Sequence, residues 1–189
     1  MSQLFFILNA PPLSFIKSNL YKKNTEMEES APYIKSIADS FFLSNQFRKN
    51  LFLYYCTSYQ GTPYVITFEG SELRYLGPSF FSSAHLILRA KNHIINPNSQ
   101  DGRLTPGISV LEQSSDWIFE KHKEDKIVQV ISTCEDELEF SQEIAKHYNV
   151  FAYGFEKLPL SINSKKMFLK HLVVDEQVII TNYLLESVR

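Results

Sequence analysis

Apolar residues in this chain fall into two rhythms. Leu4-Phe5-Phe6-Ile7-Leu8, Leu51 to Cys56 and Val150 to Tyr153 are short continuous apolar runs, and Ile127 to Ile131 is apolar but for Gln129. Runs of that length, rich in β-branched and aromatic side chains, predict buried strands. The other rhythm is helical. Ile34, Ile37, Ala38, Phe41 and Phe42 repeat at i, i+3, i+4, i+7 and i+8, which predicts a helix from Pro32 with one face buried. Upstream, Ser14 to Ser30 with its Glu26, Glu28 and Glu29 reads as a solvated connection. Tyr59-Gln60-Gly61-Thr62-Pro63 reads as the turn into a second strand, Tyr64 to Phe68, which Gly70 breaks.

The later chain alternates. Ser82 to Lys91 predicts a helix whose Arg89 and Lys91 suit the negative end of its dipole. Asn92 to Gly102 is a loop. Thr105-Pro106-Gly107 fits a type II turn, with proline second and glycine third, ahead of a short segment from Ile108 to Leu111. Helices are expected over Ser115 to Lys123, Glu137 to His147 and Asp175 to Ser187, and a short strand near Phe168 to Val173. Alternation of this kind implies an α/β fold in a single domain over residues 1–189, with a mostly parallel sheet and helices on both faces.

Composition narrows the class. The 189 residues are 44% apolar and include 15 Phe and 10 Tyr, so the expected core is large and aromatic. Nineteen basic against 21 acidic residues give a net charge of −2, which argues against strong nonspecific nucleic-acid binding but leaves room for a local basic patch. Cys56 sits in an apolar run and Cys134 lies far from it, so a reduced, cytoplasmic setting is the simpler account. No apolar run reaches the ~20 residues of a membrane span. His85, His93, His122, His147 and His171 show no metal-ligand spacing, and no phosphate-loop, dinucleotide or Ser-His-Asp signature occurs.

One stretch is more specific. It opens Ile37-Ala38-Asp39-Ser40-Phe41-Phe42-Leu43-Ser44, passes the basic pair Arg48-Lys49, and closes Phe68-Glu69-Gly70-Ser71-Glu72-Leu73-Arg74. With Leu104-Thr105-Pro106-Gly107-Ile108 it resembles the tRNA pseudouridine-54 N1-methyltransferase family of the SPOUT superfamily. The resemblance implies a SPOUT-like α/β fold with a C-terminal trefoil knot, a homodimer, S-adenosylmethionine as cofactor, and tRNA or another structured RNA as substrate. It implies cofactor contacts at Val130, Gly154, Leu169, Leu172 and Gln177, and substrate contacts at Arg48, Lys49, Glu72, Arg74 and Thr105. Asp39 matches a family aspartate near the substrate cleft and is the expected catalytic base; an exposed helix acid is its plainer reading. No metal is implied.

The chain also departs from the family pattern. Gly154-Phe155-Glu156-Lys157 stands where the family has a small, polar run, Asp175-Glu176-Gln177 replaces an Asn-His-Cys type run, and Glu29 and Ala31 replace an Arg-x-Asp element. A relative that kept the fold and dimer, lost methyl transfer and binds RNA or a protein is therefore the alternative expectation.

Overall fold

The computed structural model describes residues 3–16, 25–42, 46–132, 147–169 and 172–187. Seven strands form one sheet: β1 (Leu4–Asn9), β2 (Leu51–Tyr59), β3 (Thr62–Glu69), β4 (Ile108–Leu111), β5 (Ile127–Ile131), β6 (Val150–Tyr153) and β7 (Ser164–Phe168). Their spatial order is β4-β3-β2-β1-β6-β5-β7. The five from β2 to β7 in that order pair in parallel, while β3 and β4 add an antiparallel edge. β1 is central, with Leu8 opposite Tyr55 on one side and Tyr153 on the other.

Side-chain alternation along the strands splits the interior in two. Leu4, Phe6, Leu8, Leu53, Tyr55, Phe68 and Tyr153 face α1 (Thr25–Phe41), α2 (Phe80–Ile95) and the C-terminal helix α4 (Val174–Ser187). Ile7, Tyr54, Val65 and Ala152 face α3 (Ser115–Lys121), whose Ile118 and Phe119 are buried. The aromatic core is dense: Phe6 lies edge-on to Phe151 and Tyr153, at 5.8 and 5.5 Å between centroids. Cys56 is buried and its thiol is pushed up to about 12, which makes it inert; Cys134 lies outside the described residues.

Four sequence expectations need correction or qualification, the first being that α2 runs on to Ile95 through residues read as the start of a loop at Asn92. α1 begins at Thr25, not at Pro32, and Pro32 lies inside it. The polar run Thr25–Ser30 carries no apolar stripe, and a proline interior to a helix removes a backbone hydrogen bond, so both cues pointed to a later start. The strand expected near Phe168 to Val173 is instead Ser164–Phe168. It is an edge strand in which Met167 alone is buried while Lys165 and Lys166 are exposed, a composition that blunts a sheet edge and hides it from a hydrophobicity reading. The helix expected over Glu137 to His147 falls almost wholly outside the described residues. By contrast, the type II turn forms as read, with Gly107 at φ +81° and Ile108 N–H bonding Thr105 O at 3.1 Å.

α4 buries polar side chains beside its apolar Val174, Val178 and Leu185. Its buried side includes Asp175, Gln177, Thr181 and Asn182, whereas Ile179 and Tyr183 are exposed. Asp175 and Asn182 bind α1 and the loop after it, while Thr181 bonds back to Gln177 O. Asn182 Oδ1 accepts from Arg48 Nη1 at 2.6 Å, and Asn182 Nδ2 donates to Asp39 O at 2.6 Å. Hydrogen bonds to a buried charge contribute more than neutral ones. Asn182→Ala is expected to lower unfolding free energy by about 3 kcal/mol in urea titrations, whereas Glu186→Ala, on the exposed side, leaves it unchanged.

Candidate functional site

Parallel strands align their carboxyl ends, and the crevice outside those ends is where open α/β sheets bind ligands. Here β5 and β6 open into a cleft of about 570 Å³, within the usual range for a small-molecule site. Val130, Ile131 and Ser132 form the β5 side, and Gly154, Phe155 and Glu156 the β6 side. Glu28, Glu29, Pro32 and Tyr33 come from α1, and Leu172 to Val174 with Gln177 from the start of α4.

Gly154 holds φ at +74°, a region that disfavours any residue with a Cβ. A Cβ there would meet Asn9 O at 3.0 Å, and Asn9 Nδ2 donates to Gly154 O at 3.0 Å. The end of β1 therefore clamps the exit of β6 and leaves bare backbone facing the cleft. On the opposite wall, Glu176 Oε2 accepts from Val173 N–H at 3.1 Å, the back-bond of a capping box. Gln177 Nε2 donates to Leu172 O at 2.9 Å. Its Oε1 is buried and has no hydrogen-bond partner among the described residues.

Of the five residues expected at a cofactor, four line this one cleft: Val130, Gly154, Leu172 and Gln177. Leu169 stands behind it, with its N–H on Ile131 O at 2.9 Å and its side chain against the first core. Phe155 does not plug the cleft. Its ring packs edge-on to Phe119 at 5.1 Å in the second core, and Gln129 Nε2 holds its carbonyl at 2.8 Å.

Asp39 is absent from the cleft lining. It lies at the α1–α4 contact, where Lys35 Nζ reaches its Oδ2 at 3.8 Å and Asp175 Oδ2 at 2.7 Å. Burial raises the Asp39 carboxyl above its ordinary value, against the opposing pull of Lys35. The hydrogen bond that Lys35 donates to Asp175 holds the Lys35 ammonium up. Tyr33, half-buried in the cleft wall, is raised by burial.

The expected substrate residues gather elsewhere. Arg48 and Lys49 precede β2, Glu72 and Arg74 follow β3, and Thr105 precedes β4, so all five sit where β1 and β2 begin. Gly70 N–H on Leu51 O at 2.9 Å and Arg74 N–H on Pro106 O at 3.4 Å tie these segments together. The six residues of β1 span about 20 Å, which separates this end from the cleft. Arg48 is only 4% exposed and bonded to Asn182, so it braces the interior, whereas Lys49, Glu72 and Arg74 are exposed.

No protein-family model and no curated protein matches the chain. One solved structure similar over nearly its full length is that of Archaeoglobus fulgidus Nep1 bound to S-adenosylhomocysteine. The match covers 99% of this chain and 100% of that one, with a TM-score of 0.55 and 10% identity. The chain shares that structure's fold, a mixed α/β architecture with a mostly parallel seven-stranded sheet. Among the described residues no helix is long and apolar enough to cross a membrane, and no three His, Cys, Asp or Glu side chains are grouped to hold a metal ion.

Sequence reasoning missed Asn9, Tyr33, Glu28 and Ser132. Asn9 carried the one readable signal, a polar residue closing an apolar strand just before Ala10-Pro11-Pro12.

Two outcomes follow from this geometry. Gly154→Ala costs about 1–2 kcal/mol of stability by urea denaturation, because the new Cβ forces a strained left-handed backbone. Asp39→Asn raises Tm near neutral pH. With the folded pKa above the unfolded one, the carboxyl contributes nothing below the unfolded value and penalises folding as pH rises through that window. The variant's advantage therefore disappears in scans taken below the ordinary aspartate pKa.

Proposed function

We propose that the cleft binds S-adenosylmethionine and that the protein is an RNA methyltransferase acting on N1 of pseudouridine, position 54 of tRNA in particular. The observation that carries this reading is the convergence of Val130, Gly154, Leu172 and Gln177 on one cleft at the carboxyl ends of β5 and β6. The structural neighbour solved with S-adenosylhomocysteine supports the choice of ligand.

The residues fit the cofactor. Gly154 puts backbone at positive φ on the cleft wall, and Gln177 Oε1 has no hydrogen-bond partner among the described residues. Glu28, Glu29 and Glu156 line the cleft and suit a positively charged ligand. Bound there, S-adenosylmethionine supplies a methyl group on a cationic sulfonium. The chain's part is to hold the base nitrogen in line, since orientation alone supplies about 7–11 kcal/mol in favourable cases. A carboxylate lining the cleft takes the N1 proton in this reading, because Asp39 stands outside it. The exposed Ile179 and Tyr183 of α4 belong to a homodimer face, the C-terminal segment is knotted, and the setting is cytoplasmic.

A second reading, a relative that binds RNA or a protein without methyl transfer, draws on the position of Asp39 off the cleft and on the substrate-side residues at the far end of the sheet.

Calorimetry with S-adenosylmethionine is expected to give a single site per chain, and a hundredfold excess over Kd adds about 2.7 kcal/mol of stability. Absence of heat and of any Tm shift at millimolar ligand removes the enzyme reading. With tritiated donor, methyl transfer is expected to a tRNA carrying pseudouridine 54 and not to the same tRNA carrying uridine. The double variant Ile179→Glu, Tyr183→Glu should sediment as a monomer with native circular dichroism; an unchanged sedimentation coefficient rules α4 out as the dimer face.

A further inference from the structure

A second cavity, of about 600 Å³, lies at the end of the sheet away from the cleft, between the loop after β3 and helix α2. Tyr75, Phe81, Ser82, His85, Arg89 and Thr105 line it. Tyr75 is 78% exposed, yet its backbone sits at φ +65°, where only glycine is comfortable. Ser82 holds it there. Its Oγ donates to Tyr75 O at 3.2 Å and accepts from Gly77 N–H at 2.6 Å. The bonds that tie this loop to the start of α2 thereby hold an exposed ring at the cavity in a disfavoured conformation. Phe81, 43% exposed, adds a second aromatic surface. Thr105 is 8% exposed, and its Oγ1 is buried without a hydrogen-bond partner among the described residues.

Arg89 lines the cavity and is exposed, and Arg74 is exposed next to Tyr75 on the loop, with Glu72 two residues before it. Exposed aromatics set among cations are the working parts of a site for unpaired nucleic acid: rings stack on base faces and cations meet the backbone.

We infer that this cavity binds an unpaired base of RNA, stacked on Tyr75, with Arg89 at its phosphate and the Thr105 hydroxyl at its edge. The inference rests on the RNA part of the proposed function and is independent of the methyl donor. Because the cavity and the cleft of one chain lie at opposite strand ends, the base held here is a different nucleotide from one modified in the same chain's cleft. The site then acts as a ruler that selects RNAs able to reach both places.

The test is fluorescence anisotropy of full-length protein with a fluorescein-labelled oligouridylate of about ten nucleotides, at low salt. Tyr75→Gly should weaken binding about tenfold while its Tm stays at or above that of the parent, because glycine adopts this backbone without strain. Tyr75→Phe should bind as the parent does. Arg89→Gln should weaken binding and reduce the slope of log K against log salt by roughly one. The inference is overturned if the parent binds no oligonucleotide, if Tyr75→Gly binds as tightly as the parent, or if Tyr75→Gly alters only the sedimentation coefficient, which would assign the surface to a protein contact. Loss of S-adenosylmethionine binding with intact, Tyr75-dependent RNA binding would sink the methyltransferase reading and leave this one standing.

Discussion

The parallel pairing of β1 with β6 is the constraint on which the rest depends. It carries the first strand, buried on both faces, into the middle of the sheet and sets its carboxyl end beside that of β6. Asn9 can then hold Gly154 O, the β6 exit can turn at positive φ, and bare backbone can face the cleft. Two segments about 145 residues apart in sequence meet through this one contact. A strand slip of one residue would send every β1 side chain to the other core and remove Asn9 from Gly154.

Around that junction the protein puts polar contacts where a core would usually be apolar. α4 buries Asp175, Gln177, Thr181 and Asn182 and turns Ile179 and Tyr183 outward. The inward groups do two jobs along one helix. Gln177 lines the cleft at the helix start, and Asn182 secures Arg48 and the end of α1 further on. Polar burial of this kind is tolerated when partners are supplied, and here it fixes the angle at which the cleft wall meets α1. The Gln177 oxygen without a partner among the described residues lies at its cleft end, where a ligand can supply a donor.

Much of the fold was legible because it rests on burial. β6 is a continuous apolar run buried throughout and β5 is apolar but for the buried Gln129, so their limits agree with the sequence reading. β7 escaped notice because Lys165 and Lys166 protect an edge, and the first turns of α1 because Thr25 to Ser30 are polar and Pro32 mimics a start. Arg48 looked like a phosphate contact because a charged residue in a turn is usually solvated; its partner Asn182 is 134 positions away, which no local pattern reveals. The cleft could be placed from the family resemblance at Gly154 and Gln177. The position of Asp39 outside it could not, because helical periodicity gives the face of a residue and not its distance along the axis from a ligand. Nor does the sequence announce Tyr75, whose interest lies in a backbone angle.

The central claim is that a methyl donor sits between the carboxyl ends of β5 and β6 and the start of α4. Hydrogen exchange with mass spectrometry, with and without saturating S-adenosylhomocysteine, tests it most directly. The account predicts added protection in peptides covering 129–132, 153–156 and 172–178, with none in 72–90. Unchanged exchange in those three peptides at saturating ligand, or protection confined to 72–90, would contradict it.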